Sequence, residues 1–217
     1  MRTQPRAKSS VPPSWGAVAV FCDFFPEDFM GPLARELFEK SRDLIYQFRE
    51  EPFILASGRK SRHYFNCKKV TLHPARLALL ARVLRDEVIP AAGAVPSAVG
   101  GLTLGADPIG ISLSLAYNEK GQTVYPLIVR KEVKGHGTGQ RIEGAWQDVS
   151  EVLVLDDVIT TAGSTLVAVA AFREAGLAVK DAVCIVNREE GGEEALRDAG
   201  IRLHSVFKKS DFSDVKD

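Results

Sequence analysis

The chain has 217 residues, of which 45% are hydrophobic and 26% are charged, so we expect one full-sized globular domain with a sizeable core. Its 28 Lys and Arg residues balance its 28 Asp and Glu residues, which argues against nucleic acid or a membrane surface as a partner. The three cysteines are widely spaced and form no CxxC pair. This argues against a disulfide framework or a zinc site, and it favours the reducing cytoplasm.

The first 30 residues are predicted to be a flexible extension. Basic residues precede a short apolar run from Gly16 to Cys22, but Pro12 and Pro13 lie between the two parts, and the run has only seven residues. A signal peptide normally has a longer apolar region. Met30 is a candidate start codon, and residues 31–217 are predicted to form a single domain.

From Pro32 onwards, helical and strand patterns alternate along the chain. Apolar residues at helical spacing predict a first helix from Pro32 that includes Phe48, and a second helix from Pro74 to Pro90. The remaining predicted elements are a strand at 98–100, a glycine-rich turn at 101–105, a helix from about 108, strands at 124–129 and 152–155, a helix at 164–175, a strand at 182–186, a helix at 193–199 and a strand at 202–207. Continuous apolar strands that alternate with helices indicate an α/β fold, in which a mostly parallel sheet has helices on both faces. Ligands of such sheets bind at the carboxyl ends of the strands.

The strongest chemical signal comes at the end of the strand near residue 155. Two adjacent carboxylates, Asp156 and Asp157, are followed by hydroxyl residues and a glycine that lead into a helix. Backbone N–H groups at the start of such a helix bind phosphate, whereas carboxylates accept hydrogen bonds from ribose hydroxyls. A sugar phosphate is therefore the predicted ligand, and the alternative is a helix capped by Ser or Thr after an acidic turn. The residues of this motif are Asp156, Asp157, Val158, Ile159, Thr160, Thr161, Ala162, Gly163 and Ser164.

A glycine-rich segment from Arg130 to Gly144 directly follows another predicted strand. Between Arg130 and Arg141 it carries four basic side chains, one acidic side chain and a histidine. A mobile loop of this composition could close over a diphosphate leaving group and neutralise it, although a solvated surface loop would have the same composition. Rival phosphate motifs are incomplete: residues 58–61 lack the upstream glycine of a P-loop, and residues 135–139 lack the final glycine of a dinucleotide-binding turn.

Two further segments suggest a binding site for a heterocyclic base. Six Lys or Arg and no acidic residue lie between Ala56 and Arg76, and within this segment Tyr64 and Phe65 could pack on a flat ring. The alternative is a basic strand with one aromatic residue in the core. Arg188 follows a later strand, where an arginine can hold a carboxylate with two hydrogen bonds, and the alternative there is a cluster of surface charge.

Together, these four segments resemble the orotate phosphoribosyltransferase branch of the type I phosphoribosyltransferases, over about residues 33–208. The acidic strand–loop motif is shared by the whole superfamily, whereas the R-K-E-x-K-x-H-G loop is specific to this branch. The resemblance implies a Rossmann-like core with a small N-terminal hood. It also implies transfer of a phosphoribosyl group from 5-phosphoribosyl 1-diphosphate to orotate, giving orotidine 5′-monophosphate and diphosphate in pyrimidine nucleotide biosynthesis.

The same resemblance implies roles for individual residues. Asp156 to Ser164 would hold the ribose phosphate, Tyr64 and Phe65 would pack on the pyrimidine, and Thr160 and Arg188 would contact orotate. The residues implied to contact diphosphate are Arg130, Lys131, Lys134 and His136, and those assigned to catalysis are Lys131, Lys134, His136 and Asp157. Mg²⁺ is expected to arrive with the diphosphate rather than on protein ligands. A homodimer is expected in which this loop closes over the partner's site.

Three positions depart from the pattern of some family members. Ala56 and Gly105 replace a lysine, and Asn187 replaces an aspartate. Two rival functions stay open at this point. One is a phosphoribosyltransferase for a purine or another pyrimidine, which would have no use for Arg188 unless its base carried a carboxylate. The other is a non-catalytic regulator of the same fold, which should lack the closing loop or carry a DNA-reading module.

Overall fold

The computed structural model describes residues 30–54, 60–132 and 140–212, so all but one residue of the predicted N-terminal extension lies outside it. The helices are α1 (Pro32–Ile45), α2 (Lys68–Thr71), α3 (Pro74–Val83), α4 (Ile89–Ala91), α5 (Asp107–Asn118), α6 (Gly163–Glu174) and α7 (Gly192–Asp198). The strands are β1 (Tyr46–Ile54), β2 (Lys60–Phe65), β3 (Ala98–Leu102), β4 (Tyr125–Val129), β5 (Ile142–Glu143), β6 (Val152–Ile159), β7 (Asp181–Asn187) and β8 (Arg202–Lys208). None of the described helices is both long and apolar enough to span a membrane.

Six of the strands form one sheet in the order β5-β4-β3-β6-β7-β8. Every neighbouring pair is parallel except β4 and the two-residue β5. β7 is buried along its whole length, as its continuous apolar run predicted. The carboxyl ends of the parallel strands therefore meet at one edge of the sheet, where the predicted ligand should bind.

Successive side chains of a strand point to opposite faces of the sheet, so apolar strands need cover on both faces, and helices provide it here. Val154 belongs to a buried cluster with Phe172 of α6 and Leu196 of α7. The next residue, Leu155, faces α5, where a Cβ added to Gly110 would lie 3.7 Å from its Cδ1 atom. The predicted fold class, a mostly parallel sheet between layers of helices, is confirmed.

The central strand β6 is longer than its apolar composition predicted. It was expected to end at Leu155, but it runs to Ile159 because its pairing with β7 continues through Asp156 opposite Cys184 and Ile159 opposite Asn187. The two adjacent carboxylates therefore belong to the end of the strand rather than to the turn after it. Both carboxylates reach the turn after β3, since a Cβ added to Gly105 would lie 3.1 Å from Asp156 Oδ1 and 2.8 Å from Asp157 Oδ1.

The prediction that the first helix includes Phe48 is wrong, because α1 ends at Ile45 and β1 begins at Tyr46. β1 pairs with β2 in a separate antiparallel sheet, with Tyr46 opposite Phe65. This hairpin corresponds to the small hood that the resemblance implied. Its base packs against residues distant in sequence: the ring centroids of Tyr46 and Phe65 lie 5.5 and 5.3 Å from that of Phe212. Long-range aromatic packing thus overrides the helical spacing of Phe48.

The predicted helix from Pro74 to Pro90 is present but not regular. α3 ends at Val83, a π-helical turn follows at Leu84–Val88, and Pro90 lies inside the short α4 rather than after it. Proline has no N–H for the carbonyl four residues earlier, and a wider π turn accommodates this missing bond. The chain therefore continues one residue past the proline before it leaves the helix.

Candidate active site

The Asp156 side chain is only 7% exposed and is held by its own loop. Its Oδ2 atom accepts hydrogen bonds from the hydroxyls of Ser164 and Thr165, at 2.9 and 2.8 Å. Its Oδ1 atom accepts the backbone N–H of Asp157 at 2.9 Å. All three donors lie within nine residues of Asp156, so the local sequence alone fixes this carboxylate.

Burial raises the pKa of Asp156 to about 6, because an ionised carboxylate is poorly solvated at this depth. The hydrogen bonds from Thr165 and Ser164 lower this pKa, and the neighbouring Asp157 carboxylate raises it. Above pH 7 the group is mainly ionised. In that state it can accept hydrogen bonds from sugar hydroxyls, as the sequence predicted.

Asp157 faces a different environment, with 17% of its side chain exposed. Its Oδ1 atom accepts the N–H of Val158 at 3.0 Å, and its Oδ2 atom lies 3.5 Å from Nζ of Lys68. A Cβ added to Gly105 would lie 2.8 Å from Asp157 Oδ1, so the absence of a side chain at this position lets the turn after β3 approach the carboxylates. This turn accommodates glycine, whereas the lysine of some family members would require the turn or the Asp157 side chain to shift. The sequence did not identify Lys68 as a site residue. The basic segment between Ala56 and Arg76, to which Lys68 belongs, was the signal that could have indicated it.

The loop between β6 and α6 leads into a helix whose first backbone N–H groups are available to bind a ligand. Ala162 adopts a left-handed conformation with φ of 61°, and α6 begins at Gly163. Among the described side chains, none caps the first turn of α6, which leaves its N–H groups facing the loop. Such a turn suits a phosphate, as predicted. The Ser164 hydroxyl, however, donates to Asp156 and thus orients the carboxylate rather than pointing at an anion site.

Arg188 lies beside this loop, at the carboxyl end of β7. Its backbone N–H donates to the carbonyl of Ile159 at 2.9 Å, which joins the ends of β6 and β7. Its side chain is only 4% exposed, and its guanidinium carbon lies 5.6 Å from the Phe65 ring centroid. The Nη2 atom donates to Ser61 Oγ at 3.2 Å and also lies 3.5 Å from the His63 carbonyl oxygen. The alternative of a surface charge cluster is therefore wrong for Arg188, which is buried beneath the hairpin.

Tyr64 and Phe65 are adjacent on β2 and point to opposite faces of the hairpin. Phe65 is 7% exposed and shares its face with Arg188, whereas Tyr64 stacks on Phe53 with ring centroids 5.0 Å apart. The structure thus brings Phe65, but not Tyr64, next to Arg188. That both rings pack on one pyrimidine stays a prediction.

The predicted diphosphate loop is described only at its two ends. The Arg130 N–H donates to the Arg141 carbonyl at 2.9 Å, and the Arg130 side chain pairs with Glu143 on β5. Both ends therefore lie at the carboxyl end of β4, on the same sheet edge as Asp156. Lys131 is exposed there, while Lys134 and His136 lie outside the described residues.

No family model matches the chain, but individual proteins and solved structures do. A curated orotate phosphoribosyltransferase from Leptospira biflexa is 54% identical over 176 residues, which cover 81% of this chain and 95% of that relative. An orotate phosphoribosyltransferase from Mycobacterium tuberculosis, solved with Fe(III) dicitrate, has a TM-score of 0.69 and 36% identity, covering 84% of this chain and 99% of that one. The same enzyme solved with 5-phospho-α-D-ribosyl 1-diphosphate has a TM-score of 0.65 and 33% identity, covering 83% and 99% of the two chains.

These likenesses cover 81–84% of this chain, and each of these relatives is named an orotate phosphoribosyltransferase. They agree with the acidic loop after β6, the buried arginine after β7 and the basic segment after β4. The chain belongs to the orotate phosphoribosyltransferase family.

Proposed function

We propose that the ends of β6 and β7 hold the two substrates of the family's reaction, in which a phosphoribosyl group passes from 5-phosphoribosyl 1-diphosphate to orotate. The observation that carries this proposal is the bond from the Arg188 N–H to the Ile159 carbonyl, which places a buried cation beside the acidic loop. The loop suits the ribose phosphate, and the guanidinium suits the carboxylate of orotate. A ligand that bridges the two ends must contain both a sugar phosphate and a second anionic group.

In this proposal Asp156 and Asp157 accept hydrogen bonds from the ribose hydroxyls, and the N–H groups from Thr160 to Ser164 bind the 5′-phosphate. The bond from C1 of the ribose to the diphosphate oxygen breaks while the bond to the pyrimidine nitrogen forms. Positive charge develops on the sugar during this step, and two carboxylates close to the ring stabilise it. Orotate brings its own negative charge, so the proposal assigns no strong general base.

The leaving diphosphate carries several negative charges that the enzyme must neutralise. We assign this role to the segment that begins at Arg130 and Lys131 and includes Lys134 and His136. The described residues contain no group of three or more His, Cys, Asp or Glu that could hold a metal ion. Mg²⁺ enters the proposal as part of the substrate, because proteins usually hold it through one or two carboxylates together with substrate phosphates, and there it would neutralise charge on the diphosphate.

The direct test is an assay with several bases. The protein is incubated with 5-phosphoribosyl 1-diphosphate, magnesium and either orotate, uracil or hypoxanthine. Only orotate should be consumed, seen as loss of its absorbance, because only orotate offers a carboxylate to Arg188. Equal turnover of a base without a carboxylate would refute the assignment of Arg188.

We also propose a homodimer in which the Arg130–Gly144 loop closes over the partner's site. The outer face of α5 supports an interface, since Ile111 and Leu115 lie one turn apart there and are 46% and 61% exposed. Leu104, in the turn that precedes α5, is 71% exposed. A two-fold interface would bury this apolar face against its copy.

Mixed dimers test this arrangement. One variant is defective in the loop (Lys134→Ala with His136→Ala), and the other is defective in the pocket (Asp156→Asn with Asp157→Asn). If the loop acts on its partner, each mixed dimer regains one intact site of two, so random mixing restores about a quarter of wild-type activity. Subunit exchange without any recovery of activity would show that each loop serves its own subunit.

The cytoplasm is the proposed location of the enzyme. Cys67 and Cys184 are free and buried, which suits a reducing compartment. Burial raises the pKa of both thiols, so neither is a reactive thiolate at neutral pH.

A further inference from the structure

Arg188 already holds a carboxylate in this structure, and it belongs to the protein. The Nη2 atom donates to Oε1 of Glu190 at 2.7 Å, and the two side chains are 4% and 18% exposed. The inference below rests on the proposed contact between Arg188 and the carboxylate of orotate. Two carboxylates, one internal and one on the substrate, then require the same guanidinium.

The Arg188–Glu190 pair is built by the turn after β7. The Asn187 side-chain oxygen accepts the N–H of Glu189 at 2.9 Å, and Glu189 and Gly191 both have positive φ, at 56° and 91°. This backbone folds Glu190 back onto the side chain two positions before it. The contact is thus a product of the local conformation rather than a chance meeting of two surface side chains.

The hydrogen-bond capacity of Arg188 is unevenly used. Three oxygens, from Ser61, His63 and Glu190, lie within 3.5 Å of Nη2, which has only two N–H groups. The Nε atom is buried and has no hydrogen-bond partner among the described residues. A carboxylate that docks with two oxygens must use Nη2 together with Nε or Nη1, since Nη2 belongs to both forks of a guanidinium. Each fork uses one N–H of Nη2, so an incoming carboxylate competes for Nη2 with Ser61, His63 and Glu190, of which Glu190 makes the shortest contact and alone carries a charge.

We propose that Glu190 is a specificity-determining residue, a displaceable internal carboxylate that competes with the carboxylate of orotate and of orotidine 5′-monophosphate for Arg188. In the free enzyme it supplies a counter-charge to the buried guanidinium of Arg188. When substrate binds, Glu190 gives up its bond or stays beside a second negative charge. Both outcomes weaken the hold on orotate and favour release of the nucleotide product.

Equilibrium binding of two nucleotides tests this proposal without relying on turnover. Orotidine 5′-monophosphate carries the carboxylate, and uridine 5′-monophosphate is the same nucleotide without it. In Glu190→Gln, which keeps the shape and one acceptor oxygen but loses the charge, orotidine 5′-monophosphate should bind about threefold to tenfold tighter, the scale of one partly screened charge–charge contact. The affinity for uridine 5′-monophosphate should stay unchanged. Weaker binding of orotidine 5′-monophosphate, or an unchanged ratio of the two affinities, would overturn the proposal, because a residue that only orients Arg188 would give one of those results.

Three further variants serve as controls. Glu189→Gln removes a neighbouring charge that contacts Ser210 rather than Arg188, and it should leave the affinity ratio as in the wild type. If Glu190→Gln does not fold, Glu190→Asp, which withdraws the carboxylate by one methylene, should raise the ratio by a smaller factor. Arg188→Ala distinguishes a failure of the proposed orotate contact from a failure of the proposed competition. An unchanged ratio in Arg188→Ala would reject the orotate contact itself, whereas an unchanged ratio in Glu190→Gln alone would reject only the competition.

Discussion

Asp156 and Arg188 lie at the ends of neighbouring strands, yet the chain holds them in different ways. Asp156 receives its hydrogen bonds from residues one, eight and nine positions further on. Arg188 contacts Ser61 and His63, which precede it by 127 and 125 positions. The sugar-phosphate end of the site is therefore fixed by one loop, whereas the base end exists only when the hairpin docks on the sheet.

This difference separates two routes by which the site can fail. Damage within the loop after β6 should impair the handling of 5-phosphoribosyl 1-diphosphate and leave the hairpin in place. Damage to the aromatic residues that seat the hairpin should impair orotate binding first. Local opening of a hairpin held by a few side chains also costs less free energy than opening of a central strand.

The largest effect is expected at Asp157, on the local side of the comparison. Asp157→Asn should lower kcat/KM for 5-phosphoribosyl 1-diphosphate by about 100- to 1,000-fold, the usual loss when one preorganised electrostatic group is removed. The KM for orotate should change little, because Arg188 is untouched. Steady-state kinetics with each substrate varied in turn would measure both values. A loss confined to the KM for orotate would contradict the assignment of Asp157.

Arg188→Ala probes the long-range side. It should weaken orotate binding by about 1.5–3 kcal/mol, the range for a charge-assisted hydrogen bond, while affinity for 5-phosphoribosyl 1-diphosphate barely moves. Arg197→Ala, which removes an exposed arginine from α7, is the matched control and should alter neither affinity. Titration calorimetry with each ligand would measure the two affinities. Equal losses for both ligands in Arg188→Ala would mean that the residue is structural.

The raised pKa of Asp156 makes the free energy of unfolding depend on pH. Its folded-state pKa, about 6, lies above the usual 3.8, so the folded state binds more protons than the unfolded state between these values, and stability falls as pH rises through about 6. Asp156→Asn should therefore unfold at similar denaturant concentration to the wild type at pH 4. It should gain about 2–3 kcal/mol over the wild type at pH 7.5, while activity falls.

Denaturant unfolding across this pH range measures the difference. Asp198→Asn, which removes an exposed carboxylate from α7, serves as the control. A stability difference between Asp156→Asn and the wild type that does not grow with pH would show that burial does not penalise the ionised Asp156.

The smallest effect tests the seating of the hairpin. Phe212 is 3% exposed and its ring contacts those of Phe38, Tyr46 and Phe65. Phe212→Leu keeps most of the volume and should cost about 1 kcal/mol of global stability. Hydrogen exchange should quicken in β1 and β2 but not in β6, and orotate affinity should drop more than that for 5-phosphoribosyl 1-diphosphate. Uniform acceleration across the whole sheet would remove the distinction between the two ends.

The same contrast explains what the sequence could predict. The parallel strands, the acidic loop and the turns ending at Gly176 and Gly200 rest on local patterns, and all of these are present; both glycines have positive φ, at 84° and 74°. The end of β6 was placed too early because Asp156 and Asp157 interrupt the apolar run, whereas pairing with β7 decides where the strand ends.

The hairpin and its contacts could not be predicted from local patterns. The apolar spacing through Phe48 fits a helix, whereas pairing with β2 and packing against Phe212 select the strand. The burial of Arg188 beneath Ser61 and His63 depends on the same tertiary contact. Its pairing with Glu190 depends on positive φ values at Glu189 and Gly191. Of these two residue types, only glycine predicts a positive φ.

A crystal structure with orotidine 5′-monophosphate would show both ends of the site at once, because this product spans them. We expect the pyrimidine carboxylate on the guanidinium of Arg188, the ribose hydroxyls on Asp156 and Asp157, and the phosphate on the N–H groups at the start of α6. A nucleotide whose carboxylate lies away from Arg188, or whose ribose lies away from the two aspartates, would contradict this arrangement.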